Sequence, residues 1–242
     1  AMAADYSDID LVYLWLDFND VWLKTATTEM IRSAQRAMPG INIIQISDQG
    51  ARKHPLANSA MVFDKIVEQG EVAAFRGYAI AQHMLATERP AIICDVDLIW
   101  NNANACGVLS AMRGHVGLSP RSENAAMPYD TAVILAKPGH DRFWKSYQEC
   151  CDALVGEPRA YGGDQTAIAS HHVLQNGGWH DAEELVRAPN ERPTSQYSCP
   201  ALHFSAHRDW LVPYARLLDG GAPFEALMPG AGLDEIVYEK QV

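Results

Sequence analysis

The sequence predicts an α/β fold built on a mostly parallel sheet flanked by helices. Two observations carry that expectation. Over the first hundred residues, short apolar β-rich runs alternate with longer stretches of helical apolar spacing, in the order β-α-β-α-β. The composition, 48% hydrophobic and 20% charged over 242 residues, is that of an ordinary globular chain long enough to bury a core unaided. No internal repeat, low-complexity segment or linker interrupts it, so a single domain over residues 4–242 is the simplest expectation. The opening Ala1-Met2-Ala3 is set aside as an expression remnant.

Each element can be placed in chain order. DIDLVYLWLD (8–17) is apolar and β-rich, a first buried strand. Asn19 is a candidate cap for the next helix, in which Trp22, Leu23, Ala26, Met30, Ile31 and Ala34 repeat at helical spacing. Pro39-Gly40 stops it, and INIIQIS (41–47) is the second strand. DQGARKHPLANS (48–59) is polar and irregular. VAAFRGYAIAQHMLA (72–86) reads as a helix ended by Pro90, and AIIC (91–94) as the third strand. In the second half, GHVGLSP (114–120) and TAVILAKP (131–138) are short strands. HDRFWKSYQECCDALV (140–155) carries Phe143, Trp144, Tyr147, Cys151 and Leu154 on one helical face, and YGGDQTAIASHHVLQNG (161–177) opens on glycines and continues as a helix.

Charge and cysteines narrow the function classes. The net charge of −11 argues against duplex nucleic acid as a partner, because non-specific binding there runs on phosphate neutralisation. It leaves room for a local basic cleft around a small phosphorylated ligand. The five cysteines are odd in number, irregularly spaced and without a C-x-x-C, which suits free thiols in a reducing compartment. No apolar run reaches the roughly 18–20 residues of a membrane span. The start AMAADYSDID lacks the basic and apolar regions of a signal peptide, so a cytoplasmic location is expected.

The first candidate chemistry is in AIICDVDLIW (91–100), an apolar strand that runs into Asp95 and Asp97. Residues i and i+2 of a strand share a face about 6.5 Å apart, and a turn at the strand's end brings them closer. Two close carboxylates repel unless a cation sits between them. The carboxyl end of a strand in an open α/β sheet is also where ligands bind. A hard divalent cation holding phosphates fits that setting. Taken alone, D-x-D is open to two other readings: the nucleophile of a haloacid-dehalogenase-like phosphatase, or chance. Val96, between the two, is expected to face away into the packing behind. Two later stretches add to it. In YGGDQTAI (161–168), Asp164 is either an N-cap or a site residue, while Gln165 has no strong structural reason at a helix start. In ALHFSAHRDW (201–210), His203 is either packed in the core or the nitrogen ligand of a Mn²⁺ site, and Arg208 has the planar fork that pairs with a diphosphate.

The order of apolar strand with DVD, then GGDQ, then HFSAHRDW resembles the nucleotide-sugar-dependent glycosyltransferases of the GT-A fold, a Rossmann-like nucleotide-diphospho-sugar transferase architecture. It is most similar to their retaining type, that of glycogenin and the bacterial lipooligosaccharide galactosyltransferases. The resemblance spans roughly residues 8–212, with about twenty positions carrying it. HFSAHRDW, one residue shorter than the family's H-F-x-G-x-x-K-P-W, keeps His203, Phe204 and Trp210, with Ala206, Arg208 and Asp209 in place of glycine, lysine and proline. PYDTAVILAKP (128–138) has Asp130 and Thr131 where the family has Asn and Gly lining the sugar pocket, which leaves the donor sugar open.

The resemblance implies a transferase that moves a sugar from a nucleoside diphosphate sugar, a UDP-sugar, to an acceptor hydroxyl with retention. It places Mn²⁺ (or Mg²⁺) on Asp95, Asp97 and His203, with Asp95 also on the ribose. Arg76, Asp130 and Arg208 would contact the donor, and Asp164 and Gln165 the sugar beside its anomeric carbon. Arg76 has the alternative of a solvated helix residue. DQGARKHPLANSAM (48–61), with Arg52, Lys53 and His54, is either a mobile loop over the donor, an acceptor-recognition element or a solvated loop. Three functions stand beside transfer: a nucleotide-sugar binder without turnover, the phosphatase, and nucleotidyl transfer. The last is disfavoured because DFNDVW after the first strand lacks a Gly-rich basic loop.

Overall fold

A computed structural model describes residues 4–17, 20–120, 129–154, 163–169, 179–182 and 184–220. Its strands are β1 (Asp10–Trp15), β2 (Asn42–Asp48), β3 (Ser59–Phe63), β4 (Ala91–Cys94), β5 (Leu98–Trp100), β6 (Val116–Pro120), β7 (Tyr129–Ala136), β8 (Trp179–Asp181), β9 (Val186–Arg187) and β10 (Ala201–His203). Its helices are α1 (Val21–Ala37), α2 (Val72–Ala86), α3 (Asn104–Ala111), α4 (Asp141–Asp152), α5 (Gly163–Ala169) and α6 (Arg208–Leu218).

Among the described residues, seven strands form the main sheet in the order β3-β2-β1-β4-β7-β6-β8. β3, β2, β1 and β4 run parallel, as does the β6–β8 pair; β7 is antiparallel to both neighbours. The sheet is therefore mixed, with its parallel part where the sequence shows β-α-β alternation. β2 lies on one side of β1 and β4 on the other, which makes the β1–β4 boundary a topological switch point. Ligands bind at such points, at the carboxyl ends of the strands.

The two-residue period of the strands sorts the core into two layers. Leu11, Tyr13, Ile92 and Cys94 pack with Met30, Ile31 and Ala34 of α1 and Ala105 and Leu109 of α3. Val12, Ile93 and Ile134 pack on the opposite face with Phe75, Ala79 and Ile80 of α2 and Phe143, Trp144 and Tyr147 of α4. Both faces of β4 are thus covered, which is why AIIC is apolar throughout. α1 is capped by Asp20, whose side chain accepts from the Leu23 N–H at 3.1 Å. The expected cap, Asn19, lies outside the described residues. The helix stops where expected, and Gly40 takes the left-handed conformation there, with φ of 84°.

β5, β10 and β9 form a small second sheet. Ile99, Leu202 and Phe204 pack there with Leu211 and Tyr214 of α6 and with Trp22 and Ala26 near the start of α1. The strand β5, the strand β3 and the helix α3 are not among the elements expected from sequence. LIW reads as the tail of the D-V-D run, β3 is an edge strand that leaves Val62 exposed, and α3 is only two turns long and contains Gly107. The stretch 48–59 is tied down rather than free. Gln45 of β2 accepts from the His54 N–H at 2.7 Å and donates to the Arg52 carbonyl at 3.0 Å, and Lys53 donates to the Ala57 carbonyl at 2.6 Å. Only part of the helix expected over 161–177 falls within the described residues, as α5. Among the described residues no helix is long and apolar enough to cross a membrane.

Candidate functional site

β4 ends at Cys94, and the Asp95 N–H still bonds the Ala132 carbonyl of β7 at 3.0 Å. The chain then turns through Val96 and Asp97 and leaves the main sheet. The next strand, β5, pairs antiparallel with β10, opposing Leu98 to His203. The Phe204 N–H bonds the Asp97 carbonyl at 3.0 Å. This pairing delivers a histidine from the far end of the sequence to the end of β4. His203 Nε2 lies 3.1 Å from Asp97 Oδ1 and 3.8 Å from Asp95 Oδ2. One ligand atom from each of Asp95, Asp97 and His203 falls within 4.8 Å of the others. Val96 is half-buried against the core, as expected, but it also forms part of the cavity wall beside the two aspartates.

Arg76 is not a solvated helix residue. It is 7% exposed on α2, with Nη2 3.0 Å from Asp95 Oδ1 and 2.8 Å from the Thr131 carbonyl, and Nη1 2.5 Å from Asp164 Oδ2. Asp164 is 5% exposed and lies inside α5, so it is not an N-cap; its other oxygen accepts from the Gln165 N–H at 2.8 Å. One guanidinium thereby links the D-x-D to the D-Q pair. Gln165 is half-buried beside Asp164 on α5. Asp130, on β7, accepts from the Ala132 N–H at 2.8 Å and is near enough to His203 to favour its protonated form.

The electrostatics result from this packing. Burial opposes charge on His203, yet the hydrogen bond and charge of Asp97, then Asp95 and Asp130, push its pKa up to about 9. Asp95 is raised above the usual carboxylate range by burial and by Asp97 and Asp164, against the lowering pull of Arg76 and His203. Burial likewise works against the charged Arg76, but Asp95 and Asp164 outweigh it and hold the group above its ordinary value. The protonated imidazole thus supplies positive charge where two carboxylates converge, which is the demand a divalent cation would meet.

Of these groups, Arg76, Asp95 and Asp97 line a cavity of about 250 Å³ at the β1–β4 switch point. Arg76, Asp95, Asp97 and Arg208 supply its charged groups; Leu14, Trp15 and Leu16 at the end of β1, with Trp22, Leu23, Val72 and Val96, supply apolar lining. Arg208 sits on the Trp22 ring at 4.4 Å. Arg52, Lys53 and His54 are not among the lining residues.

A glycine that sequence reasoning passed over makes the Arg76 linkage possible. A Cβ on Gly77 would collide with Cys151 Sγ and come within 2.9 Å of the Tyr147 hydroxyl and 3.2 Å of Asp164 Cβ. The signal in the sequence was a glycine inside a helix, which costs about 1 kcal/mol against alanine and needs a reason. Gly77→Ala is expected to lower the unfolding free energy by about 1–3 kcal/mol through overpacking. Cys151→Ala in the same chain should recover part of the loss. Urea titrations read both, and a neutral or stabilising Gly77→Ala would show that α4 and α5 do not press on this position.

Searched against known proteins, the sequence matches no family profile and no curated protein. Solved glycosyltransferases share its fold. One, involved in glycosylation of the major capsid of PBCV-1, aligns at a TM-score of 0.58 and 14% identity, over 86% of this chain and 98% of that one. The galactosyltransferase LgtC, in complex with donor and acceptor sugar analogues, aligns at 0.53 and 11%, over 87% of this chain and 94% of that one. The glycosyltransferase GlyE of Streptococcus pneumoniae TIGR4 aligns at 0.53 and 13%, over 85% of this chain and 59% of that one. The expected α/β fold of the GT-A type is the fold these structures have in common with this chain.

Proposed function

We propose that the chain is a metal-dependent glycosyltransferase that moves a sugar from a nucleoside diphosphate sugar, a UDP-sugar, to an acceptor hydroxyl with retention. The observation that carries this is the cluster of Asp95, Asp97 and His203 at the switch point of this fold, with both aspartates lining the cavity there. The donor set, two carboxylates and an imidazole, suits Mn²⁺, which accepts nitrogen as well as oxygen, better than Mg²⁺. Bound there, the cation would neutralise charge on the departing diphosphate as a Lewis acid. Arg208 adds fixed positive charge on the same cavity. Arg76 pairs with Asp95 and Asp130 lies near His203, and both are assigned to the donor. Arg76 also holds Asp95 and Asp164 in set orientations, so the phosphate-facing and sugar-facing carboxylates keep a constant separation. Asp164 and Gln165 are assigned to the sugar, and retention rests on that pair. The galactosyltransferase with donor and acceptor analogues among the structural neighbours favours this reading over the phosphatase.

The test is a screen of nucleotide sugars with Mn²⁺, reading release of the nucleoside diphosphate and the anomeric configuration of the first-formed product by NMR. Release with retained configuration is the expected result. An inverted product removes the retaining assignment. Binding without release leaves a nucleotide-sugar binder. No binding by any nucleotide sugar at millimolar concentration removes the function.

His203 also sets a pH dependence. Its folded pKa, about 9, lies above the ordinary value of 6.5, so its contribution to metal-free stability is full below about pH 6.5 and lost as pH rises through about 9. Mn²⁺ must displace that proton. Its apparent affinity is therefore expected to rise about tenfold per pH unit between pH 7 and 9 and then level off. Calorimetry in buffers of different ionisation enthalpy should show about one proton released per Mn²⁺ at pH 7. A flat affinity over that range would remove His203 from the ligand set.

A further inference from the structure

We propose that Trp22 is a positioning residue that holds Arg208 over the cavity and so gives the site its preference for a diphosphate over an uncharged nucleoside. This rests on the proposed donor site and adds a residue to it. Arg208 is exposed in the first turn of α6 and makes no ion pair with a described carboxylate, although two lie in the same cavity. A free arginine there would sample many rotamers, or fold back onto Asp95 or Asp97 and cancel its charge. Instead its guanidinium lies 4.4 Å from the centre of the Trp22 ring. Cation–π attraction of this kind depends on the face of an aromatic ring and is strongest over tryptophan.

The same indole fixes the backbone. Trp22 Nε1–H donates to the Arg208 carbonyl at 3.2 Å, which ties the start of α6 to the start of α1. Trp22 is 8% exposed, packed with Leu211 and Tyr214 on one side and facing the cavity on the other. One side chain therefore orients both ends of Arg208. The cavity meets an incoming ligand with carboxylates on one wall and a preorganised cation on another, an arrangement suited to an anion bridged by a metal. In the sequence Trp22 reads only as one more apolar position of a helical stripe.

The experiment is a double-mutant cycle on Trp22→Leu and Arg208→Ala, with UDP and uridine as probes in saturating Mn²⁺, read by calorimetry. Trp22→Leu is expected to weaken UDP about 3–30-fold, the range of one such contact, while leaving uridine within about twofold. The double variant should bind UDP no worse than Arg208→Ala alone, because Trp22 acts through Arg208. Trp22→Phe, which keeps an apolar ring but lacks the N–H, should lose less UDP affinity and leave uridine unchanged; it carries the test if Trp22→Leu does not fold. Equal losses for UDP and uridine, or additive losses in the cycle, would mean that Trp22 only packs, and would overturn the proposal while leaving the donor site standing. A wild-type chain that binds no UDP with Mn²⁺ overturns both.

Discussion

Asp97→Ala is expected to abolish Mn²⁺-dependent binding of UDP and to cut UDP release from a UDP-sugar by about 10²–10³-fold, the usual cost of removing one preorganised charge stabiliser. Asp97 is the better probe of the two aspartates. Removing Asp95 would also take away one of the two carboxylate partners of the buried Arg76, so lost metal binding and lost stability would be mixed. Asp97 has its charge partner in His203, and its backbone carbonyl keeps the Phe204 N–H whatever the side chain. The wild-type protein with Mn²⁺ and UDP at a hundred times their dissociation constant should gain about 2.7 kcal/mol, on the order of 5–10 °C in Tm, and Asp97→Ala should gain none. Without ligands the variant should be slightly less stable at pH 6–7, where His203 loses its carboxylate, and match the wild type above pH 9. Asp97→Ala retaining a metal-dependent shift would exclude the cluster as the metal site.

The parallel half of the fold was legible because each element there obeys one period. α1 and α2 end at prolines and glycine, and β1 and β4 are apolar on both faces since helices cover both. The second half was harder. β5, β9 and β10 have two or three residues each, too few to show a period, and take their conformation from pairing across the chain. That pairing is what brings His203 to Asp97. The sequence named the three candidate ligands through their motifs, but nothing local to either motif says that Leu98 will oppose His203. Arg76 shows the limit most directly. Its neighbours Phe75 and Gly77 read as ordinary helix, and only the packing of α4 and α5 against Gly77 reveals a buried cation between two carboxylates. Trp22 was visible as core and invisible as the platform under Arg208.

Arg76→Met should be the most destabilising single change at the site, by about 3–5 kcal/mol in urea unfolding. The methionine fills similar space, so the loss comes from charge: Asp164, almost wholly buried, and Asp95, about a third exposed, are left without their shared cation. The Thr131 carbonyl also loses its donor. Arg76→Lys should restore little, because one ammonium cannot span three acceptors that the guanidinium reaches with two nitrogens. The defect should have a pH signature. Without Arg76, Asp95 loses the strongest influence that keeps its pKa down, so the folded state holds its proton more tightly than the unfolded chain does. Stability then rises as pH falls, and the gap to wild type should narrow between pH 8 and 5. Asp164→Asn in the Arg76→Met background should recover part of the loss, since an amide replaces the buried unpaired charge. A pH-independent defect would point to lost packing alone. A narrowing one, accompanied by weaker Mn²⁺ binding at pH 8, would mean that one buried arginine sets both the stability of this corner and the geometry of its metal ligands.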